Sequence, residues 1–562
     1  MVISNLIKSV LRYLWMGSVF FYPAAFSADL VIRDAHIYTV DEFQTTAEAL
    51  AIEGGEFIFV GSNSDVEEFI DSNTQVISLD GDFVMPGFID NHNHVFEGAS
   101  EVGGFCLLSP NRKLHKQKRE LKQCQMEIES PGEWVMGYGH QLDASWRPDS
   151  DPSPRQTLDK WFPDNPVIIM EESSHSMFVN SLALDLANIN LDPTNPPGGV
   201  IMRDDQGVPN GVLFDNAGDI IMELAWNSFE DVFDQSYEGL LAGMEEAARY
   251  GITTIGDGRL YWRRGWYDVW LEALANNDLL VRTSLRPWIY PEIDIKEQIE
   301  FLQSITLNQD QNLLVSNQVK MYIDGVMHFG TGKMLKPYIS SWQSNLPLGL
   351  NYIDPAILPE VLKKLAEIGY GAHIHAIGDG GVREVLDAIE TVRQDDLQQS
   401  YGLTHLELIH PDDIKRFKEL SVDADFQAGA IFFDDNSWAR YYIGLERSKR
   451  LMPMRQLYDT GANITFSSDW TVNSINPLVA IANSMRLKGS KGLPSIHEAI
   501  KAATINAAQA LGLAHITGSI EVGKSADFVV LNRDITREKY RSIESSEVLM
   551  TVLQGEFTYK AE

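Results

Sequence analysis

The chain has 562 residues and a formal net charge of −34, with 44% hydrophobic and 22% charged side chains. That composition belongs to a folded globular protein rather than a disordered one, and the length suits a barrel-sized domain with smaller additions. So acidic a surface argues against nucleic acid, which needs a basic footprint, and against anionic membranes.

Residues 1–27 read as a signal peptide. Lys8 and Arg12 supply positive charge, Tyr13 to Tyr22 form an apolar run, and Ala25-Phe26-Ser27 offers small residues at a cleavage site. The run is far short of the ~20 residues a membrane span needs. Cleavage after Ser27 makes the protein periplasmic or secreted, with no membrane contact afterwards; an uncleaved N-terminal anchor is the alternative. Loss of Lys8 and Arg12 moves the charge from −34 to −36.

The segment 28–84 shows short β-type runs, such as Ala28–Arg33 and Glu56–Val60, bounded by turn residues. The texture returns at 515–562, in Ala526–Leu531 and Val548–Leu553. Together these ends predict one small β-sandwich domain built from both termini. Between them, residues 85–514 predict a barrel. Its strand candidates are Phe83–Asp90, Thr253–Asp257, Leu280–Tyr290, Gln318–Asp324, Tyr370–Ile377, Leu403–Ile409, Asp423–Gln427 and Ile464–Ser468. Amphipathic helical patterns such as Ile357–Ile368 and Val382–Arg393 separate them, and Ser495–Leu511 follows the last. Strands alternating with helices imply a parallel sheet, and eight such units favour a (β/α)8 TIM barrel over an open sheet. No glycine-rich dinucleotide fingerprint opens a helix after a strand. Residues of about 98–240 are too many for one connection and predict an α/β insertion over the barrel mouth, as a lid. The two cysteines, Cys106 and Cys124, either form one disulfide or stay as buried thiols, and they lack zinc-cluster spacing.

Barrel enzymes carry reactive groups at the C-terminal strand ends. Here the first strand ends in Asp90-Asn-His-Asn-His94, the fourth carries Lys320, the fifth His373 and His375, the sixth His405, and the eighth ends in Ser468-Asp-Trp470. His92 and His94 share one face of their strand, because side chains alternate, so both imidazoles can reach one divalent ion. His373 shares the face of His375 and is read as a supporting or substrate-facing residue. Trp288, Tyr322, Phe329, Phe432, Phe433 and Trp470 lie near strand ends as pocket or packing aromatics, and His328 is a further pocket candidate.

The segments Pro86-Gly-Phe-Ile-Asp-Asn-His-Asn-His94, Val319-Lys-Met-Tyr-Ile-Asp-Gly325, His375-Ala-Ile-Gly-Asp379, Ser468-Asp-Trp470 and Gly518-Ser-Ile-Glu-Val-Gly-Lys-Ser-Ala-Asp527 form an ordered set. It resembles the amidohydrolase superfamily, in its branch of N-substituted formamide deformylases and YtcJ-like amidohydrolases, over nearly all of the mature chain. The resemblance implies His92, His94 and Asp469 on a buried divalent metal, most often zinc, and His375 and His405 on a second. It places Lys320 as a lysine that can be carboxylated to a bridging carbamate; one metal or two both fit. His175 matches a branch motif of the insertion and is read as substrate-facing. Asp215 stands where a glutamate is common, and Val326-Met-His-Phe-Gly330 departs from the branch pattern; both bear on specificity.

The implied function is hydrolysis of an amide or N-substituted formamide C–N bond. Metal-activated water attacks, Asp469 acts as general base and proton carrier, and the metal or His373 stabilises the oxyanion. Tyr322, His328 and Trp470, with His175 and Asp215, would contact a small-molecule substrate. Deamination, or cyclic-amide or ester hydrolysis at the same site, is the alternative chemistry; a noncatalytic metal-stabilised binding or regulatory protein is the alternative class. The reading leaves room for a homodimer.

Overall fold

The computed structural model describes residues 27–43, 45–98, 106–124, 130–189, 194–305, 307, 313–430, 435–487, 489 and 491–562. All of the expected signal peptide except Ser27 lies outside the described residues, as do Phe432 and Phe433.

The two chain ends meet. Leu30–Arg33 pairs with Ala49–Glu53 and Gln75–Ser78 in a four-stranded sheet, which Glu56–Gly61 completes. A six-stranded sheet runs Glu556–Lys560, Val548–Leu553, Phe528–Leu531, Phe83–Pro86, His36–Tyr38, Thr46–Ala47. Alternating apolar residues of both sheets, among them Ile32, Ile52, Phe57, Val84, Phe528 and Val552, form one core.

The apolar run Phe83–Asp90 is two strands. Phe83–Pro86 belongs to the terminal sheet, while Phe88–Asn93 opens the parallel one. Gly87 is the hinge: a Cβ there would lie 2.2 Å from Thr253 Oγ1, so only glycine lets the chain pass.

Parallel strands then come in two sheets. Phe88–Asn93, Ile252–Asp257, Arg282–Ser284 and Leu314–Val315 make the first; Gln318–Tyr322, Gly371–Ala376, Tyr401–His405, Val422–Phe426 and Ile464–Phe466 make the second. Backbone bonds join the two sheets at both sides, and Leu314–Val315 and Gln318–Tyr322 both pair with the run from Arg282 to Ile289, as two pieces of one strand position. Lys320 N donates to Pro287 O (3.0 Å) and Ile289 N to Lys320 O (2.9 Å); Asp469 N donates to His92 O (2.8 Å) and His94 N to Trp470 O (3.0 Å). The third strand is shorter than the Leu280–Tyr290 run suggests, because Pro287 has no N–H to give a ladder. Ser495–Leu511 is two helices, Ile496–Ala502 and Ile505–Ala510. The break lies where the Ala503 carbonyl accepts from Ile89 N (2.8 Å) and Thr504 Oγ1 bonds back to Ile500 O (2.8 Å).

The insertion has its own six-stranded sheet: Gly199–Arg203, Pro209–Asp215, Ser176–Val179, Val167–Glu171, Val135–His140, Cys106–Leu107. Helices including Asn216–Trp226 cover it, with Ile168, Met177, Leu213 and Ile221 in the core between. Cys106 is disulfide-bonded, and the sequence has one other cysteine, Cys124.

Candidate metal centre

The strand alternation that puts His92 and His94 on one face brings their Nε2 atoms to 3.2 Å from each other. Asp469 Oδ1 completes a triangle, 3.2 Å from His92 Nε2 and 3.0 Å from His94 Nε2. Ligand atoms ~2.0–2.1 Å from one tetrahedral ion lie about 3.3 Å apart. The three sides are close to that, and among the described residues these three form a group whose ligand atoms converge within 4.8 Å. The donor set and spacing fit a divalent ion.

Local contacts hold the triangle. Asp90 accepts from Ser468 N (2.9 Å), Ser468 Oγ (2.5 Å) and Asn93 Nδ2 (2.8 Å), locking the first strand end against the segment that carries Asp469. Gly258 leaves space for the His94 ring, which a Cβ would approach to 2.7 Å. His94 Nδ1 lies 3.0 Å from Glu97 Oε1, and Arg259 grips Glu97 at two points (3.1 and 2.8 Å). Such a carboxylate behind a ligating imidazole fixes its tautomer and orientation. Burial opposes charge on His94, but Glu97 and Asp469 outweigh it and hold the imidazole up at about 9. Burial alone would raise the Asp469 carboxyl; bonds from His92 and His94 hold it well below the usual range.

The other expected ligands gather beside this triangle. Lys320 is fully buried, its Nζ 3.2 Å from His92 Nδ1. Burial pushes its pKa well below the ordinary lysine value, favouring the neutral amine. His375 stacks on Tyr322 (centroids 4.1 Å) and lies 4.4 Å, centroid to centroid, from His405. Its Nε2 is 3.1 Å from Gly325 O, while its buried Nδ1 has no hydrogen-bond partner. His405 is anchored through Nδ1 to Gln427 Oε1 (2.9 Å), which leaves Nε2 for a ligand. Burial lowers His375 well below, and His405 to about 3, keeping both imidazoles neutral. An orphaned imidazole nitrogen beside a neutral buried amine fits a second ion.

His373, read as a supporting or substrate-facing residue, lies against a histidine of the metal triangle. Its Nε2 lies 3.0 Å from His92 Nδ1, it is 1% exposed, and it does not line the cavity. The imidazole supports His92 from beneath.

A cavity of about 580 Å³ opens between insertion and strand ends, reaching His175, His328, His375, His405 and Asp469. His175 and Asp215, both expected near substrate, are joined (Nδ1–Oδ1 2.7 Å); Asp215 stands behind the imidazole and does not line the cavity. Tyr322 lines a smaller adjoining space with His94, Glu97 and Arg259. Trp470, expected at the substrate, is not among the residues lining either space; its indole lies against Gly98. Residues not singled out from sequence are Glu97, Arg259, Glu171 and Glu407. Only Glu97 carried a signal, its position three residues after His94.

A family model described as "Amidohydrolase family" matches residues 75–559. The Arabidopsis thaliana "Protein LONG AFTER FAR-RED 3" is 29% identical over 96% of this chain and 92% of its own length. The "N-substituted formamide deformylase" of Arthrobacter pascens is 25% identical over 95% of this chain and 98% of its own. Among solved structures, an uncharacterized metal-dependent hydrolase from Pyrococcus horikoshii superposes with a TM-score of 0.71, covering 91% of this chain and 99% of that one at 21% identity. That likeness is one of fold.

Proposed function

The chain belongs to the amidohydrolase family, and from that premise we propose that it hydrolyses a C–N bond of amide or N-substituted formamide type. The observation that carries the reading is the buried triangle of His92 Nε2, His94 Nε2 and Asp469 Oδ1 at tetrahedral ligand spacing, facing a substrate-sized cavity. The deformylase relative, matched end to end, supports the bond type. Backbone bonds at both sheet junctions support a closed (β/α)8 barrel with the site at its mouth. The shared apolar core of the two terminal sheets supports a β-sandwich domain.

His92, His94 and Asp469 would hold the first ion, a divalent cation such as zinc; Lys320, as a carbamate, with His375 and His405 would hold a second. When bound, such an ion supplies a Lewis acid and brings the pKa of water from ~15.7 towards ~7. Asp469, anionic through its two imidazole contacts, takes the proton of the attacking water and returns it to the leaving nitrogen. Glu97, through His94, keeps Nε2 turned towards the site. His175, held by Asp215, contacts a small-molecule substrate at the cavity wall. The apolar N-terminal run and the Cys106 disulfide support export to the periplasm or medium.

Metal analysis, then assays of stripped and zinc-reconstituted protein on a formamide and amide panel, test the reading. Formate plus amine, lost on stripping and regained on reconstitution, is expected. Ammonia from ring amines would mean deamination, and bound metal without turnover would overturn the enzymatic reading.

A further inference from the structure

We propose that His175 Nε2 accepts a hydrogen bond from the N–H of the scissile group, so that the site selects amides with one substituent on nitrogen over those with two. The proposal rests on the reading above for the position of the reacting bond. Two spaces meet at His175. The smaller also touches His94 and Glu97, the larger is walled in part by Leu142, Val326, Phe329 and Trp438, and His175, His405 and Asp469 border both. A carbonyl held at the metal-competent triangle lies in the smaller space, and an apolar substituent on nitrogen finds its room in the larger, of about 580 Å³. The amide nitrogen joins the two, and its hydrogen passes the imidazole.

The fold fixes which hydrogen-bonding role that imidazole plays. Ser176–Val179 pairs antiparallel with Pro209–Asp215, and at the end of that ladder Asp215 N donates to His175 O (3.0 Å). The side chains repeat the link, with Asp215 Oδ1 2.7 Å from His175 Nδ1. The Asp215 side chain is fully buried, and its Oδ2 has no hydrogen-bond partner among the described residues, so no second donor competes for the carboxylate. A carboxylate only accepts; Nδ1 therefore carries the proton, and in the neutral imidazole Nε2 is left as an acceptor. Nε2 takes no partner among the described residues and is not closed off from the cavity. Stacking on Tyr322, at 5.7 Å and 19° between planes, sets the tilt of the ring. Asp215 itself stands at φ 55° and ψ −137°, a conformation that L residues rarely adopt. Strain of that kind persists where the surroundings enforce it, and such places cluster at ligand sites. An amide without N–H would bury this acceptor unpaired, the loss by which a site built around a substrate N–H discriminates most strongly.

The test uses full-length, zinc-reconstituted protein with N-(2-phenylethyl)formamide and its N-methyl derivative. The readout is kcat/KM for both, or calorimetric Kd where neither is cleaved. The N–H compound is expected to be preferred at least ~10-fold. The extra methyl also adds bulk, so the variants carry the decision. His175→Phe keeps a ring but no acceptor and should cut the preference at least ~5-fold. Asp215→Gly adopts the same φ freely and leaves the tautomer unset; it should cut the preference at least ~3-fold, and it decides alone if the Phe variant fails to fold. Nitrogen-15 spectra of histidine-labelled protein, with the His175 signals taken from the difference against His175→Phe, should show the proton on Nδ1 in the wild type and a mixture in Asp215→Gly. Equal treatment of the two compounds, no binding of either, a preference that neither variant alters, or a proton on Nε2 in the wild type overturns the proposal. A preference in Kd for the N–H compound, with neither cleaved, upholds it and overturns the hydrolytic reading instead.

Discussion

Replacing Asp469 by Asn removes a charge and a proton acceptor while keeping an oxygen where Oδ1 stands. That oxygen is 3.2 Å from His92 Nε2 and 3.0 Å from His94 Nε2, so the amide can preserve the ligand triangle, and Asp469 N still donates to His92 O at 2.8 Å. What is lost is the anionic group held ready to take a proton. General acid–base participation is worth ~100- to ~10,000-fold, about 2.7–5.4 kcal/mol of barrier at ~1.36 kcal/mol per tenfold. The expected result is a fall in kcat/KM of at least ~100-fold on a formamide substrate with zinc content largely kept. Plasma-emission metal analysis on the assayed sample separates the two effects. Near wild-type turnover with zinc bound would clear Asp469 of the proton-transfer role. Activity restored by excess zinc would leave it a ligand only.

Glu97→Gln weakens the hold on the His94 ring and should lower zinc affinity 10- to 100-fold in a competition titration; unchanged affinity would show that Arg259 and Glu97 serve the fold alone. Lys320→Arg keeps a long basic side chain but cannot form a carbamate. Isotopically labelled bicarbonate should give a carbamate signal in the wild type and none in the variant, which should also hold less metal; a wild type without label refutes the bridging role. Arg282 bonds Asp527 at 2.9 Å with both side chains fully buried, tying a parallel strand to the terminal sheet. Asp527→Ala should cost about 3–5 kcal/mol in denaturant unfolding, since it leaves a buried charge uncompensated; a loss under ~1 kcal/mol would contradict that.

Periodicity of two and of 3.6 shows where strands and helices lie, because each needs its apolar face. It does not show where a continuous apolar run changes sheets. Phe83–Asp90 reads as one strand, yet Phe83–Pro86 pairs with Phe528–Leu531 and Phe88–Asn93 with Ile252–Asp257. The decision rests on partners far along the chain and on the bulk of Thr253 against Gly87. Likewise nothing near Thr504 announces a broken helix; the break depends on a carbonyl claimed by Ile89 from another element.

The candidate ligands were legible because imidazoles and one carboxylate at strand ends are scarce and come in a fixed order. Their supports were not, because Glu97, Arg259 and Glu407 are common residue types whose meaning lies in what they face. His373 and His375 show the limit most sharply. Alternation puts both on one face, so sequence cannot rank them. Depth separates them: two residues along a strand is about 6.6 Å, enough to move an imidazole from the cavity wall to the layer below. Lys320 is in register with His373, and Tyr322 with His375. Lys320 and His373 thus meet His92 Nδ1 from beneath, while His375 reaches the cavity. The same pairing buries Lys320, and burial lowers its pKa in the direction of the neutral amine that a carbamate would need. On this geometry the proposed carbamate would form in the layer below the cavity, and the proposed substrate would bind in the layer above.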